Sequence, residues 1–212
     1  GFWPAAKDNN NQVKIFKDEK RKDVLTTLNF PRQQRFQGKG KPNLSLSDFI
    51  APEELRIKDY IGAFAVTSGL GINKMCEELE KNNDDYSSIM LKAIADRLAE
   101  SLAEYIHEQV RKNYWGYSKE ENLSNEELIK EKYVGIRPAP GYPACPDHSE
   151  KVKLFSLLDA TSRANISLTE NFAMLPAASV SGWYFSHKES KYFGLGKINE
   201  DQIRNISKNR NE

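Results

Sequence analysis

The sequence holds few of the residues that bring ready-made chemistry. Only two cysteines, Cys76 and Cys145, and three histidines occur in 212 residues. Two cysteines cannot build a disulfide framework, so a reducing, cytoplasmic setting is expected. Cys145 and His148 offer two ligands where a structural zinc takes four, and no C-x-x-C accompanies them. No metal site is therefore expected. The same pair lies close in sequence with no third group to orient it, which argues against a Cys/His nucleophile. G-x-S-x-G, G-x-G-x-x-G and P-loop patterns are all missing. Their absence excludes the common hydrolase, dinucleotide and NTP-binding readings. No apolar run approaches the length of a membrane span, and no signal peptide is visible. Neither sign of charge dominates: 31 basic residues stand against 30 acidic ones, for a net charge of +1. That balance gives no electrostatic case for nucleic acid or a membrane surface.

What remains is a chain long enough for one sizeable core, with 39% hydrophobic and 29% charged residues, a globular rather than a disordered composition. It opens on "GFWPA", without a methionine and directly in an apolar run, and reads as a piece cut from something longer. "QVKIFK" (Gln12 to Lys17) and "DVLTTLNF" (Asp23 to Phe30) read as strands joined by the charged "DEKRK", an antiparallel hairpin. "YIGAFAVTSGLG", Tyr60 to Gly71, is small, β-branched and bounded by glycines, as a buried strand would be. Gly62, Gly69 and Gly71 allow close backbone approach, or in the last two a tight turn after the strand.

The strongest helix pattern runs from about Asp85 to Tyr114. Met90, Ile94, Leu98, Leu102, Ile106 and Val110 recur every fourth residue, widened by Leu91 and Tyr105, and predict the core stripe. Asp96, Glu100 and His107 share another face, which is either solvated or, beside Ala95, Ala99 and Ala103, open to close packing. "LSNEELIKEKY" begins a second helix with Ser124 as cap and Glu127 completing a capping box. "PDHSEKVKLFSLLDATS" begins a third, with Asp147 as cap and Glu150 in the matching place. The tail predicts an aromatic-rich hairpin of Ser179 to His187 and Lys191 to Ile198, then a short helix capped at Asn199. Strands and helices do not alternate, so the fold class is α+β with an antiparallel sheet.

Between the second and third helices lies "GIRPAPGYPACPDHSEK", Gly135 to Lys151. A flexible linker would use Gly/Ser composition, and a strand would avoid proline. Pro138, Pro140 and Pro143 stiffen the backbone in advance, which lowers the entropy a bound ligand must overcome. Arg137, extended by the proline after it, offers a fork for a carboxylate. Ala139 presents peptide groups without bulk, Gly141 leaves room, and Tyr142 offers a face and a hydroxyl. The stretch suits a small zwitterion with an aromatic portion. The other reading is a rigid loop that holds two helices apart.

Taken with "DYIGAFAVTSGLG", "IMLKAIADRLAESLAEYIHEQVRKNYWGY", "ENLSNEELI" and "SLTENFAMLPAASVSGWYFSHKESKYFGLGKI", the R-x-x-x-G-Y-P element at Arg137 to Pro143 resembles the activation domain of cobalamin-dependent methionine synthase. The resemblance covers nearly the whole chain, residues 1–212, as one such domain truncated at its N-terminus. It implies a single C-shaped α+β domain around a twisted antiparallel sheet, flanked by helices of which one is long, with S-adenosylmethionine bound in a groove. Arg137 would hold the methionine carboxylate, and peptide groups around Ala139 and Gly141 the adenine. Tyr192 and Phe193 would line the site, and Glu100 and Glu131 would lie near the cofactor's cationic end. Tyr142 would sit at the groove mouth toward the cobalamin, and Asp96 would face the cobalamin-binding domain.

The implied role is reactivation of the methyltransferase. S-adenosylmethionine supplies a methyl group, flavodoxin or a flavodoxin-like reductase an electron, and cobalamin is held by a neighbouring domain absent from this chain. No residue is expected to act as acid or base, and the isolated fragment is expected to be a cofactor-binding module. The rival expectation is a non-catalytic docking module for the reductase or the cobalamin domain. Two departures from the family bear on the site. A further cofactor-contacting aspartate of the family lies upstream of Gly1, and the "SGLGIN" loop is glycine-rich where relatives often carry acidic residues.

Overall fold

The computed structural model describes residues 1–35 and 37–210. Among the described residues, seven strands and six α-helices follow one another. Strands β1 (Phe2–Lys7), β2 (Gln12–Phe16), β3 (Val24–Asn29) and β4 (Asp59–Thr67) come first. Helices α1 (Ile72–Lys81), α2 (Asp85–Gln109), α3 (Asn125–Ile129), α4 (Glu150–Leu158) and α5 (Ala160–Ala164) follow. The chain closes with β5 (Ser167–Leu168), β6 (Met174–Leu175), β7 (Ser179–Tyr184) and α6 (Glu200–Arg210). The main sheet runs β3-β2-β1-β4-β7, and β5 pairs with β6 in a second, two-stranded sheet. The class is α+β with an antiparallel sheet and one long helix, as the sequence predicts. No helix among the described residues is long and apolar enough to cross a membrane. The chain divides into two compact units, one of residues 1–62, 134–153 and 183–212, the other of 63–133 and 154–182.

In the first unit the predicted hairpin forms, with Val13 opposite Leu28 and Ile15 opposite Thr26. Sequence reading leaves the opening apolar run without an assigned element. The structure makes it β1, yet its ladder with β2 begins only at Ala5, one residue past the proline that cannot donate. Ala5, Val13, Ile15, Leu28 and Ile61 are buried in the sheet. Beside them stands a cluster of rings: Phe185 meets Phe30 at 5.8 Å and Phe49 at 6.3 Å, both edge-on. The geometry is the one that ring quadrupoles favour.

A polar cluster fastens the loop that follows β3. Asp48 caps the short 3-10 helix Leu46–Phe49 by accepting the Ser45 N–H at 2.9 Å. It also accepts both Arg32 guanidinium nitrogens, at 2.5 and 2.6 Å, and the Lys7 ammonium at 2.5 Å. Burial alone would raise its pKa. The hydrogen bonds from Arg32 and Lys7 outweigh that and hold it down to about 2.

The tail departs from expectation. Ser179–Tyr184 is the strand β7, but Lys191 to Ile198 forms no strand partner for it. Its polar groups are satisfied otherwise. The Leu195 N–H donates to the Pro143 carbonyl at 3.0 Å, and the buried Gln33 amide donates to the Gly194 carbonyl at 2.8 Å. Gly196, at φ +71, then turns the chain out of extended geometry.

In the second unit the long helix has the predicted extent: α2 is 25 residues long and continues as a π turn, Val110–Tyr114. Its buried face is not the predicted one. Ala95, Ala99, Ala103 and His107 are buried, whereas Leu98 is 57% exposed and Met90, Ile94 and Tyr105 also lie open. Two stripes with the same i, i+4 spacing exist on this helix, so periodicity alone does not choose between them. Close backbone approach does. The alanines admit the chain after β4 so near that the Ser68 hydroxyl donates to the Ala95 carbonyl. A leucine face would hold it away. Helix α1 packs on the same side, with Cys76 against the Ser88 carbonyl and Glu80 accepting from the Ser88 hydroxyl at 2.7 Å.

Ala99→Leu should therefore cost about 1–3 kcal/mol by overpacking, whereas Leu98→Ala should cost less than about 1 kcal/mol. Urea unfolding of both variants checks this, and the reverse ranking would restore the leucine stripe as core.

The Asp48 cluster makes a separate prediction in pH. Its folded pKa lies below the unfolded value near 3.8, so its contribution is complete above about pH 4 and fades as pH falls toward 2. Asp48→Asn should lose on the order of 1–2 kcal/mol at pH 7, after allowing for the solvent that reaches the cluster. Unfolding at pH 7 and near pH 2 should show the parent and the variant converging in acid.

Candidate functional site

The proline-rich segment has too few N–H groups to build its own structure, and it is clipped instead to the end of β7. Ile136 and Phe185 exchange both backbone hydrogen bonds at 3.0 Å, and the Trp183 N–H donates to the Pro138 carbonyl at 2.9 Å. Held this way the segment is extended, and its side chains alternate. Ile136, Pro138 and Pro140 are buried, and Arg137 and Ala139 are half-buried. Alternation places Arg137 and Ala139 on one face. The other predicted stretch lies along the segment's edge away from β7, where the Arg137 backbone N–H donates to the Tyr192 hydroxyl at 3.0 Å.

After Pro140 the chain reverses in a tight turn. The Tyr142 N–H donates to the Ala139 carbonyl at 3.1 Å, and the Cys145 N–H to the Tyr142 carbonyl at 2.9 Å. The Gly141 N–H reaches the Cys145 carbonyl at 2.7 Å, with Gly141 at φ +101, a conformation that a side chain would strain. Tyr142 is left 61% exposed at the tip. Residues 191–195 run beside this turn through the bond from Leu195 to Pro143. Phe193 joins the ring cluster, 6.4 Å from Phe49. Six predicted residues, Arg137, Ala139, Gly141, Tyr142, Tyr192 and Phe193, thus stand on two neighbouring segments. The contact between Arg137 and Tyr192, which are 55 residues apart, had no signal in the sequence beyond the resemblance.

The other three predicted residues lie in the second unit. Asp96 and Glu100 are exposed on α2, one turn apart on the same flank of the buried alanine stripe. Glu131 is exposed at φ +53, just after α3. The expected capping box of that helix is present: the Ser124 N–H donates to the Glu127 carboxylate at 3.1 Å, and the Glu127 N–H to the Ser124 hydroxyl at 3.4 Å.

Close by in sequence lies a buried group that sequence reading missed. Arg111, fully buried on the π turn, donates to both Glu121 oxygens at 2.7 to 3.0 Å. Its guanidinium also lies over the Tyr133 ring at 4.5 Å, and the His107 ring meets the same tyrosine edge-on at 5.0 Å. Charge, cation–π and ring contacts thereby fix Tyr133, two residues beyond Glu131. The only sequence signal was an arginine placed on the buried side of the helix, legible once the alanine face is known to be the inner one.

Asp147 accepts the Ser149 N–H at 2.9 Å, but α4 starts three residues later, at Glu150, so the predicted capping box does not form. Glu150 is buried, where it accepts from Lys153 at 2.8 Å and from the Asn29 amide at 3.4 Å.

The comparisons with known proteins agree with one another. The family model described as "Vitamin B12 dependent methionine synthase, activation domain" matches residues 1–211. Among solved structures, the chain is similar to the crystal structure of the MetH reactivation domain bound to AdoHcy, with 50% sequence identity and a TM-score of 0.96. The match covers 100% of this chain and 64% of that one, so the chain spans less than two thirds of its relative's length. With the Arg137 to Pro143 element in place and the match running from the first residue to the last but one, this chain belongs to the activation-domain family of vitamin B12-dependent methionine synthase.

Proposed function

We propose that this chain binds S-adenosylmethionine along the wall formed by residues 136–145 and 191–195, and that it serves the reactivation of a cobalamin-dependent methionine synthase. The observation that carries the reading is the hydrogen bond from the Arg137 backbone N–H to the Tyr192 hydroxyl, which brings the Tyr192 segment alongside the pre-stiffened backbone that carries Arg137. The residues present fit the ligand. Arg137 offers its guanidinium to the carboxylate, half-buried Ala139 offers peptide groups to the adenine, and Gly141 lets the backbone reverse beside them. Tyr192 and Phe193 supply ring faces. The family resemblance assigns to Glu100 and Glu131 the negative charge that a sulfonium centre prefers.

When bound, S-adenosylmethionine supplies an electrophilic methyl group for the cobalamin carried by the neighbouring domain. The chain's own contribution is binding, orientation and exclusion of water, with no side chain required to move a proton. Asp96 on α2 and Tyr142 at the turn tip face the cobalamin-binding domain in this reading. A flavodoxin or flavodoxin-like reductase is the electron donor, and the setting is the cytoplasm. A second reading, docking without a small ligand, draws support from the open apolar stripe of α2. Titration with S-adenosylmethionine separates the two.

Arg137→Ala should weaken S-adenosylmethionine binding by about 2–4 kcal/mol, through loss of a charge-assisted forked contact, and leave the unfolding midpoint nearly unchanged. Calorimetric titration of parent and variant is the check. Superimposable curves would take Arg137 out of the site, and gross unfolding would make it a structural residue.

Tyr142→Ala should lower the rate of reductive methylation in the reconstituted enzyme more than it lowers affinity, because its ring is engaged only in the assembled complex. If affinity collapses while the rate at saturating cofactor holds, Tyr142 is a wall of the cofactor pocket.

A further inference from the structure

We infer that His148, held in place by Lys151, is a positioning residue that sets the Gly141–Tyr142 peptide of the proposed S-adenosylmethionine site. The inference rests on the reading of that site given above. A Cβ built on Gly141 would overlap three atoms of the His148 imidazole, so the ring occupies the space that a side chain would take. The turn is bonded along its own length, by Gly141 to Cys145, Tyr142 to Ala139 and Cys145 to Tyr142. Those bonds close it without fixing where it sits. The His148 ring is the surface on which the Gly141 backbone rests.

The ring is itself held. Lys151 Nζ lies 2.9 Å from His148 Nδ1, three residues along. An ammonium has only donors, so Nδ1 accepts and the imidazole carries its proton on Nε2. Lys151 is only 7% exposed, and burial pulls its pKa below the usual lysine value. The first turn of α4, which carries Lys151, is tied to β3. Lys153 donates to the Thr27 carbonyl at 2.9 Å and to the buried Glu150 at 2.8 Å, and Asn29 donates to Glu150 at 3.4 Å. A continuous set of contacts therefore runs from β3 through α4 to His148, and from there to the backbone between Ala139 and Tyr142. Seven residues of separation and a glycine with no side chain hide this contact from any reading of spacing.

The test uses amide hydrogen exchange on the ligand-free chain together with calorimetric titration with S-adenosylmethionine. His148→Ala should speed exchange at the Gly141, Tyr142 and Cys145 amides by about tenfold while amides in β3 and α4 keep the parent's rates. It should weaken S-adenosylmethionine binding by about five- to tenfold, since a displaced peptide loses aim rather than charge. His148→Gln, which can accept from Lys151 and fill part of the space, should restore most of both. Lys151→Met keeps the ring but frees it, should shift the same amides in the same direction by less, and provides the answer if His148→Ala does not fold. Unchanged exchange at those three amides, or a rise spread equally over β3 and α4, would overturn the inference. If the parent fails to bind S-adenosylmethionine, the proposed function falls, while the exchange pattern still decides the role of His148.

Discussion

The site depends on three backbone hydrogen bonds between a segment that can hardly donate and the end of a strand that can. Prolines at 138, 140 and 143 leave the segment unable to pair along its length. It pairs at Ile136 and Pro138, with Phe185 and Trp183, where both partners are buried. From that attachment follow the alternation that turns Arg137 and Ala139 to the same side, the proximity of Tyr192, and the place at which the chain must reverse. The rings beneath make the attachment rigid. Phe185 is bonded to Ile136 through its backbone and packed on Phe30 and Phe49 through its side chain. Losing that ring would move the segment as well as leave a cavity.

Each compact unit contains one arginine–carboxylate group that orders irregular chain, and the two differ in kind. Arg32 and Asp48 sit at the surface edge, where water shares the load and acid can dissolve the pairing. Arg111 and Glu121 are shut away, and their desolvation is offset by forked geometry and by the Tyr133 ring. A pair of the second kind adds little net stability, but it penalises every arrangement that separates the partners. That is the property needed next to Glu131, which holds a left-handed backbone conformation that only its surroundings can enforce.

Much of the fold was legible because local signals were unopposed. Two strand-like runs around a charged turn marked β2 and β3, a β-branched run bounded by glycines marked β4, the Ser124–Glu127 pair marked the start of α3, and unbroken helical spacing gave the length of α2. The errors arose where two signals had the same form. On α2 the leucine and alanine stripes share a period, and hydrophobicity favoured the larger residues, whereas close backbone contact required the smaller ones. At Lys191 to Ile198 the aromatic composition of a strand was present, but the ladder was not, because side chains and the Pro143 carbonyl took up its groups. Of the proposed site, Arg137 and Tyr142 were suggested by the chemistry of a stiffened loop. Tyr192, Phe193, Glu100, Glu131 and Asp96 came only through resemblance. The His148–Gly141 contact and the Arg111 cluster left no local trace, since each depends on which chain segments the fold brings together.

Cys145 gives this arrangement a chemical readout. Its carbonyl and N–H both belong to the turn that closes on Gly141 and Tyr142, and its thiol is fully buried. Burial, with the charges of Glu150 and Asp147 nearby, pushes that thiol's pKa well above the usual range. Thiolate forms only when the turn lifts away, and thiolate is what an alkylating reagent consumes. The rate of Cys145 alkylation therefore counts openings of the loop. Occupancy of the wall should slow it in proportion to the time the loop spends closed, so a ligand can be detected by the protection it gives to an atom it never touches.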